Sequence, residues 1–191
     1  GTLLGSVTGM VSGYLGGTFD LLFQRLLDML QAFPALVLAM AVVSVLGATV
    51  NNVIIAITIV LIPGASRVIR SATLSIKENV YIEAARLLGA SHARVLLRHI
   101  FPNVVPPVLV LMSVAIGSTI ITEASLSYLG LGAQPPTPSW GNMLQSAQNH
   151  LTRAPWLAIF PGLAISLVVF GANMFGDALR DVLDPRLRGS R

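Results

Sequence analysis

Cysteine is absent from the 191 residues. That excludes disulfide scaffolds and cysteine-based metal sites. Charge is almost as scarce: Asp, Glu, Lys and Arg make up 10% of the chain, against roughly 25% in an average soluble domain. A soluble globule of this length needs far more polar surface than that to cover its core, and a disordered chain needs more still. The net charge of +4 does not make a nucleic-acid binder, because the basic residues are segregated between long uncharged stretches. Lys77 is the sole lysine, and no glycine-rich run ends in Lys-Ser or Lys-Thr. The chain therefore lacks a P-loop, and no ATP site of that kind can form on it.

What is present is apolar sequence, 54% of the chain. Five segments, roughly 1–17, 33–50, 52–66, 103–122 and 155–175, approach the length that spans a bilayer, about 20 residues for a hydrocarbon core of ~30 Å. The expectation is an all-α integral membrane protein with five transmembrane helices, forming one domain over 1–191. Eleven of the twelve basic residues fall on one face, in Arg25, the polar segment 67–102 and the tail; only Arg153 falls on the other. The positive-inside rule puts segment 67–102 and the C-terminus in the cytoplasm and segment 123–154 outside.

Gly1, Gly5, Gly9 and Gly13 recur every four residues, on one helix face. Small residues at that spacing let two backbones approach closely in a bilayer, so Gly5, Gly9 and Gly13 are expected to pack against another helix. Pro34 and Pro106-Pro107 are expected near helix starts, where a missing N–H costs little. Pro63 and Pro161 are more interior and are expected to bend their helices.

The polar segment is the most informative. Ser75-Ile76-Lys77-Glu78 fits a capping box and predicts a helix start. Ile76, Val80, Ala84, Leu87 and Leu88 then form an apolar stripe at helical spacing, and Gly89 ends the helix as a left-handed cap. Ser91 caps a second helix with Ala93, Leu96, Leu97 and Ile100 as its inner stripe and Arg94 and Arg98 outside. Pro102 is expected to stop it. The two alanines leave room for a partner surface, Glu83 offers that partner a charge, and Gly89 lets the chain reverse sharply.

Glu83-Ala84-Ala85, Gly89 and Pro102 thirteen positions later resemble the EAA loop of ATP-binding-cassette importer permeases. His99 and Phe101 depart from the usual isoleucine and leucine. The run from Arg98 to Asn103 is similar to the peptide/nickel branch of that family. So are Ser127-Tyr128-Leu129-Gly130-Leu131-Gly132, the run from Pro135 to Gly141, and Asp177 to Asp181 with Asp184-Pro185-Arg186. The resemblance implies a type I importer permease translocating di- or oligopeptides, with nickel and glutathione as alternative cargoes. It implies that Glu83, Ala84, Ala85, Gly89, Arg94 and Pro102 couple to an ATPase. It further implies a second permease subunit, two ATPase subunits carrying ATP and magnesium, an external solute-binding protein, and a further N-terminal span before Gly1. No cofactor is expected on this chain.

An ion-driven carrier or channel is the alternative from another class. Such a carrier would more often show carboxylates in mid-span, whereas Asp20, Asp28, Glu123 and Asp177 sit at span edges. Glu123 is nevertheless a candidate gate residue. Trp140, within a proline-rich run, is either an interfacial anchor or a contact for the external binding protein. Gly64-Ala65-Ser66-Arg67 resembles the serine motif of rhomboid-type proteases, but all three histidines lie outside the spans, so no Ser–His pair can form at membrane depth. His92 and His99 lack a third ligand, and no metal site is expected.

Overall fold

A computed structural model describes residues 1–183. Among them the secondary structure is helical, with no strand. The α-helices are α1 (Thr2–Leu15), α2 (Gly17–Gln31), α3 (Ala35–Leu46), α4 (Val50–Lys77), α5 (Val80–Leu87), α6 (His92–Val95), α7 (Phe101–Tyr128), α8 (Trp140–Ala147) and α9 (Trp156–Leu183). Asp184, Pro185, Arg186, Arg188 and Arg191 lie outside the described residues.

All five expected apolar segments are helical, but they differ in reach. The helices α4, α9 and the continuous run His92–Tyr128 are each long and apolar enough to cross a membrane. The helices α2 and α3 reach a fourth span only if the pair is taken as one broken crossing. With 14 and 12 residues, α1 and α3 extend only about 21 and 18 Å at 1.5 Å per residue, short of a ~30 Å core.

Two compact units make up the chain. The first contains Gly1–Ala32 and Leu61–Met112 with the C-terminal end of α9; the second contains Phe33–Val60 and Ser113–Arg180. The first is built around Met10, Tyr14, Ile69, Ile82, Val95, Ile100 and Val104. Here α1 lies directly on α4. A Cβ added at Gly5 would stand 2.5 Å from the Ile62 carbonyl, one at Gly9 would overlap the backbone of Ser66, and one at Gly13 would meet the Arg70 carbonyl at 3.0 Å. The glycine stripe thus seats α1 on three successive turns of its neighbour.

The polar segment differs from expectation in four respects. First, no capping box forms at Ser75, because α4 continues through it to Lys77. Residues 67–77 contain neither Gly nor Pro, and Ile69 and Thr73 remain fully buried one turn apart, so the helix propagates. It ends at Lys77, and just beyond it the side-chain amide of Asn79 donates to the carbonyls of Ser75 and Ile76 (3.4 and 3.0 Å). Second, of the expected stripe only Ile76 packs against the core; Val80, Ala84, Leu87 and Leu88 share a face that points outward, and Ile82 is the buried residue of α5. Third, of the expected inner stripe Ile100 is buried and Leu96 packs against the core, but Ala93 and Leu97 are exposed; the inner contact is made by Val95, outside that stripe, together with Ile100. These two are five apart because residues Leu96–Ile100 form a π-turn, whose wider pitch brings positions i and i+5 onto one face.

Fourth, Pro102 does not stop the helix, which runs unbroken from His92 to Tyr128. The π-turn immediately before Pro102 opens the backbone where a proline ring would otherwise meet a carbonyl. Asn103 also donates from its side chain to the His99 carbonyl (2.6 Å). Pro106 and Pro107 accordingly lie inside α7 rather than at its start. Pro34 is the N-cap of α3 as expected, and Pro63 and Pro161 are interior to α4 and α9.

In the second unit, α7 and α9 approach through small residues. A Cβ at Gly117 would reach Asn173 at 2.8 Å, and one at Gly176 would reach Ser113 at 3.2 Å. Gly141 of α8 sits more tightly still, against the Ala124 backbone and the Ser127 side chain of α7.

Candidate functional site

The candidate site is the segment from Asn79 to Pro102, in the first unit. Its first helix, α5, is closed by Gly89 at φ +83°. The Gly89 N–H donates to the Arg86 carbonyl (2.9 Å) and the Ala90 N–H to that of Ala85 (3.0 Å). Those paired bonds are a Schellman cap, which requires the left-handed residue that glycine supplies without penalty. Ser91 then accepts from the Arg94 N–H (3.3 Å) and opens α6. One helix end and one helix start are therefore fixed within three residues.

The outward side of α5 is chemically unusual. Val80, Leu87 and Leu88 are 80, 83 and 89% exposed, on one face with exposed Ala84 and flanked by exposed Glu83, while Ala85 is half-buried. Glu83 forms no ion pair among the described residues. Arg94 and Pro102 are exposed as well. An apolar stripe of this kind, rimmed by a free carboxylate, is a surface suited to covering by another protein.

The inward side is held by contacts that sequence reasoning missed. Tyr14, the penultimate residue of α1, lies with its hydroxyl 2.8 Å from His92 Nδ1. The Arg86 guanidinium carbon stands 5.1 Å from the centre of the same ring, within cation–π range. His99 instead leans on Tyr81, with ring centres 6.3 Å apart. The two histidines have different partners, and no group of three or more His, Cys, Asp or Glu is placed to hold a metal among the described residues. Tyr14 carried no motif and gave no signal in the sequence.

A polar network was also missed. Asp20 of α2 accepts from Arg70 Nε and Nη2 of α4 (2.6 and 2.5 Å) and from the Ser12 hydroxyl of α1. Two turns along α2, Asp28 accepts from Arg67 (2.8 Å). Fork-to-carboxylate bonding fixes orientation as well as distance, so α1, α2 and α4 are joined at one end by charge as well as by packing. In the sequence, its one signal is the spacing of Asp20, Gln24 and Asp28, which share a helix face.

In the second unit, Glu123 lies half-buried in α7 and accepts from the Ser127 hydroxyl (2.6 Å). Ser127 also receives the Ala133 N–H (3.3 Å), folding the chain after α7 back on itself. Trp140 opens α8 behind the Ser139 cap. A cavity of about 550 Å³ lies beside α8, lined by Pro138, Met143, His150, Trp156 and Phe160 among others; neither Glu123 nor Trp140 lines it.

Comparison with known proteins places these features in context. The profile of the family described as "Binding-protein-dependent transport system inner membrane component" matches residues 1–189. The chain is 47% identical over 188 residues to the glutathione transport system permease protein GsiD of Pectobacterium atrosepticum, which covers 98% of this chain and 62% of that protein. It is 49% identical over 189 residues to the proteins of the same name from Escherichia coli O6:K15:H31 and Shigella boydii serotype 4, covering 99% of this chain and 62% of each. The chain thus spans 62% of the length of these curated relatives.

Proposed function

The chain belongs to the family of binding-protein-dependent transport system inner membrane components, and from that premise we propose that it is a transmembrane permease subunit of an ATP-driven importer. The observation that carries the proposal is the exposed stripe Val80, Leu87 and Leu88 on α5. Three large apolar side chains at nearly full exposure beside Glu83 need a protein partner. With no P-loop on this chain, the partner is an ATPase subunit, with two such subunits serving a pair of permeases. Closure of the ATPases on ATP displaces α5, and the spans switch from inward- to outward-facing. Cargo then passes from an external solute-binding protein, which contacts the region of Glu123 and Trp140. The cargo is glutathione, the compound the relatives are named for, rather than the di- or oligopeptides or the nickel that the motifs imply.

Co-purification tests the partner. Leu88→Asp should insert and fold normally, because Leu88 is 89% exposed, yet should release the ATPase subunits that the wild-type permease retains. Release by neither Leu88→Asp nor Leu87→Asp, or a wild type that transports without any ATPase, would favour an ion-driven carrier instead.

In this reading α5 and α6 face the cytoplasm and the segment before α8 faces outside. The absence of native cysteine makes the orientation directly measurable. Ala90→Cys should react with a membrane-impermeant thiol reagent only from the cytoplasmic side, and Thr137→Cys only from the opposite side. Labelling of both from one face would overturn the assigned topology.

A further inference from the structure

We propose that Tyr14 is the positioning residue of the ATPase-coupling segment, tying both of its short helices to α1 so that they move as one body. The inference rests on the importer reading above.

Tyr14 is 3% exposed. Its ring carries Arg86, in the last turn of α5, at 5.1 Å. Its hydroxyl meets Nδ1 of His92, the first residue of α6, at 2.8 Å, and the two rings stand edge to face at 5.7 Å. One side chain therefore grips the helix before Gly89 and the helix after it. That matters because the chain reverses between α5 and α6 at Gly89, φ +83°, where two backbone hydrogen bonds hold the turn. Without a further tie, a push on the exposed stripe of α5 would load that hydrogen-bonded turn before it reached α6. With Tyr14 in place, α5 and α6 share an anchor on α1. That anchor is rigid, because Gly13, its immediate neighbour, is pressed on the Arg70 carbonyl of α4.

The test uses the reconstituted complex with ATPases and binding protein. Tyr14→Phe keeps the ring and removes only the hydroxyl; His92→Ala removes the other partner. Both should still assemble with the ATPases. In each, the rise in ATP hydrolysis on adding loaded binding protein should fall about fivefold, the equivalent of one hydrogen bond of about 1 kcal/mol. The double variant should be no worse than either single one, because both remove the same bond. His92→Asn, whose side-chain amide can donate or accept in place of Nδ1, should keep most of the stimulation.

Full stimulation in both single variants would overturn the proposal. So would a loss of thermal stability with stimulation intact, which marks a contact that only holds the fold. A His92→Asn variant as defective as His92→Ala would also count against it. A wild-type complex that neither binds ATPases nor responds to binding protein would instead sink the importer reading, and this inference with it.

Discussion

Gly9→Ala is expected to lower the stability of the protein by about 3 kcal/mol, at the upper end of what inserting one methyl group into a packed core costs. The reason is specific to the site. The added Cβ would overlap the backbone of Ser66, and backbone cannot rotate aside as a flexible side chain can. The usual helix-forming advantage of alanine over glycine, about 1 kcal/mol, is too small to offset that. Gly5→Ala, against the Ile62 carbonyl and the Ala65 side chain, should behave similarly. Gly64→Ala and Gly171→Ala are the controls, since nothing lies within 4 Å of a Cβ at either position. Both should be neutral or slightly stabilising. Thermal unfolding of the purified protein in detergent measures all four. A Gly9→Ala variant as stable as Gly64→Ala would mean that α1 does not rest on α4 through its glycines.

Gly89→Val is expected to abolish most coupled transport while leaving the protein folded. No atom obstructs a side chain at Gly89, so the penalty is conformational: a β-branched residue reaches φ +83° only at a cost of about 1–2 kcal/mol. That is roughly a five- to thirtyfold loss in the population of the correctly formed turn. The Schellman bonds from Gly89 and Ala90 would be lost with it, and α5 would no longer present its stripe in a defined direction. Glu83→Ala differs in kind. Alanine preserves the helix, so only a charged contact to the partner is removed. Uptake and stimulated ATP hydrolysis in the reconstituted complex should fall in both variants. Raising salt should weaken the wild type toward Glu83→Ala, because screening removes the same contact, but should leave the Gly89→Val defect unchanged. Wild-type uptake and stimulation in both variants would remove the basis for calling this segment the coupling element.

Local punctuation was legible in the sequence wherever it depends on one residue's own backbone. Gly89 occupies the left-handed region, Ser91 caps α6 and Pro34 caps α3, because each preference arises within a turn of chain. The glycine stripe was legible for a related reason: a period of four on a helix defines a face whatever lies opposite. Punctuation that depends on competition was misread. The capping box at Ser75 is a real local option, but burial of Ile69 and Thr73 against α1 favours continuing α4 through it. Pro102 looked like a stop, and the π-turn before it shows how a helix can be carried past a proline when both flanking segments are held in the core.

The sequence by itself determined the class of molecule. Scarce charge, segregated arginines and apolar runs approaching the ~20 residues of a helical span, about twice a membrane strand's length, select membrane helices over a closed barrel. It also determined the family, through Glu83-Ala84-Ala85, Gly89 and the motifs from Ser127 to Gly141. Which side of a helix faces inward was left to the tertiary structure. An apolar stripe at helical spacing reads the same whether it meets the core or a partner protein, so periodicity alone does not choose between them. The stripe of α5 points away from the core, and Ile82 and Val95, which belong to neither expected stripe, point toward it, while Ile100 lies inward as its spacing predicts. The joint at Tyr14 needed the fold most of all. His92 and Arg86 lie more than seventy residues from Tyr14, and only the seating of α1 on α4 brings the three together.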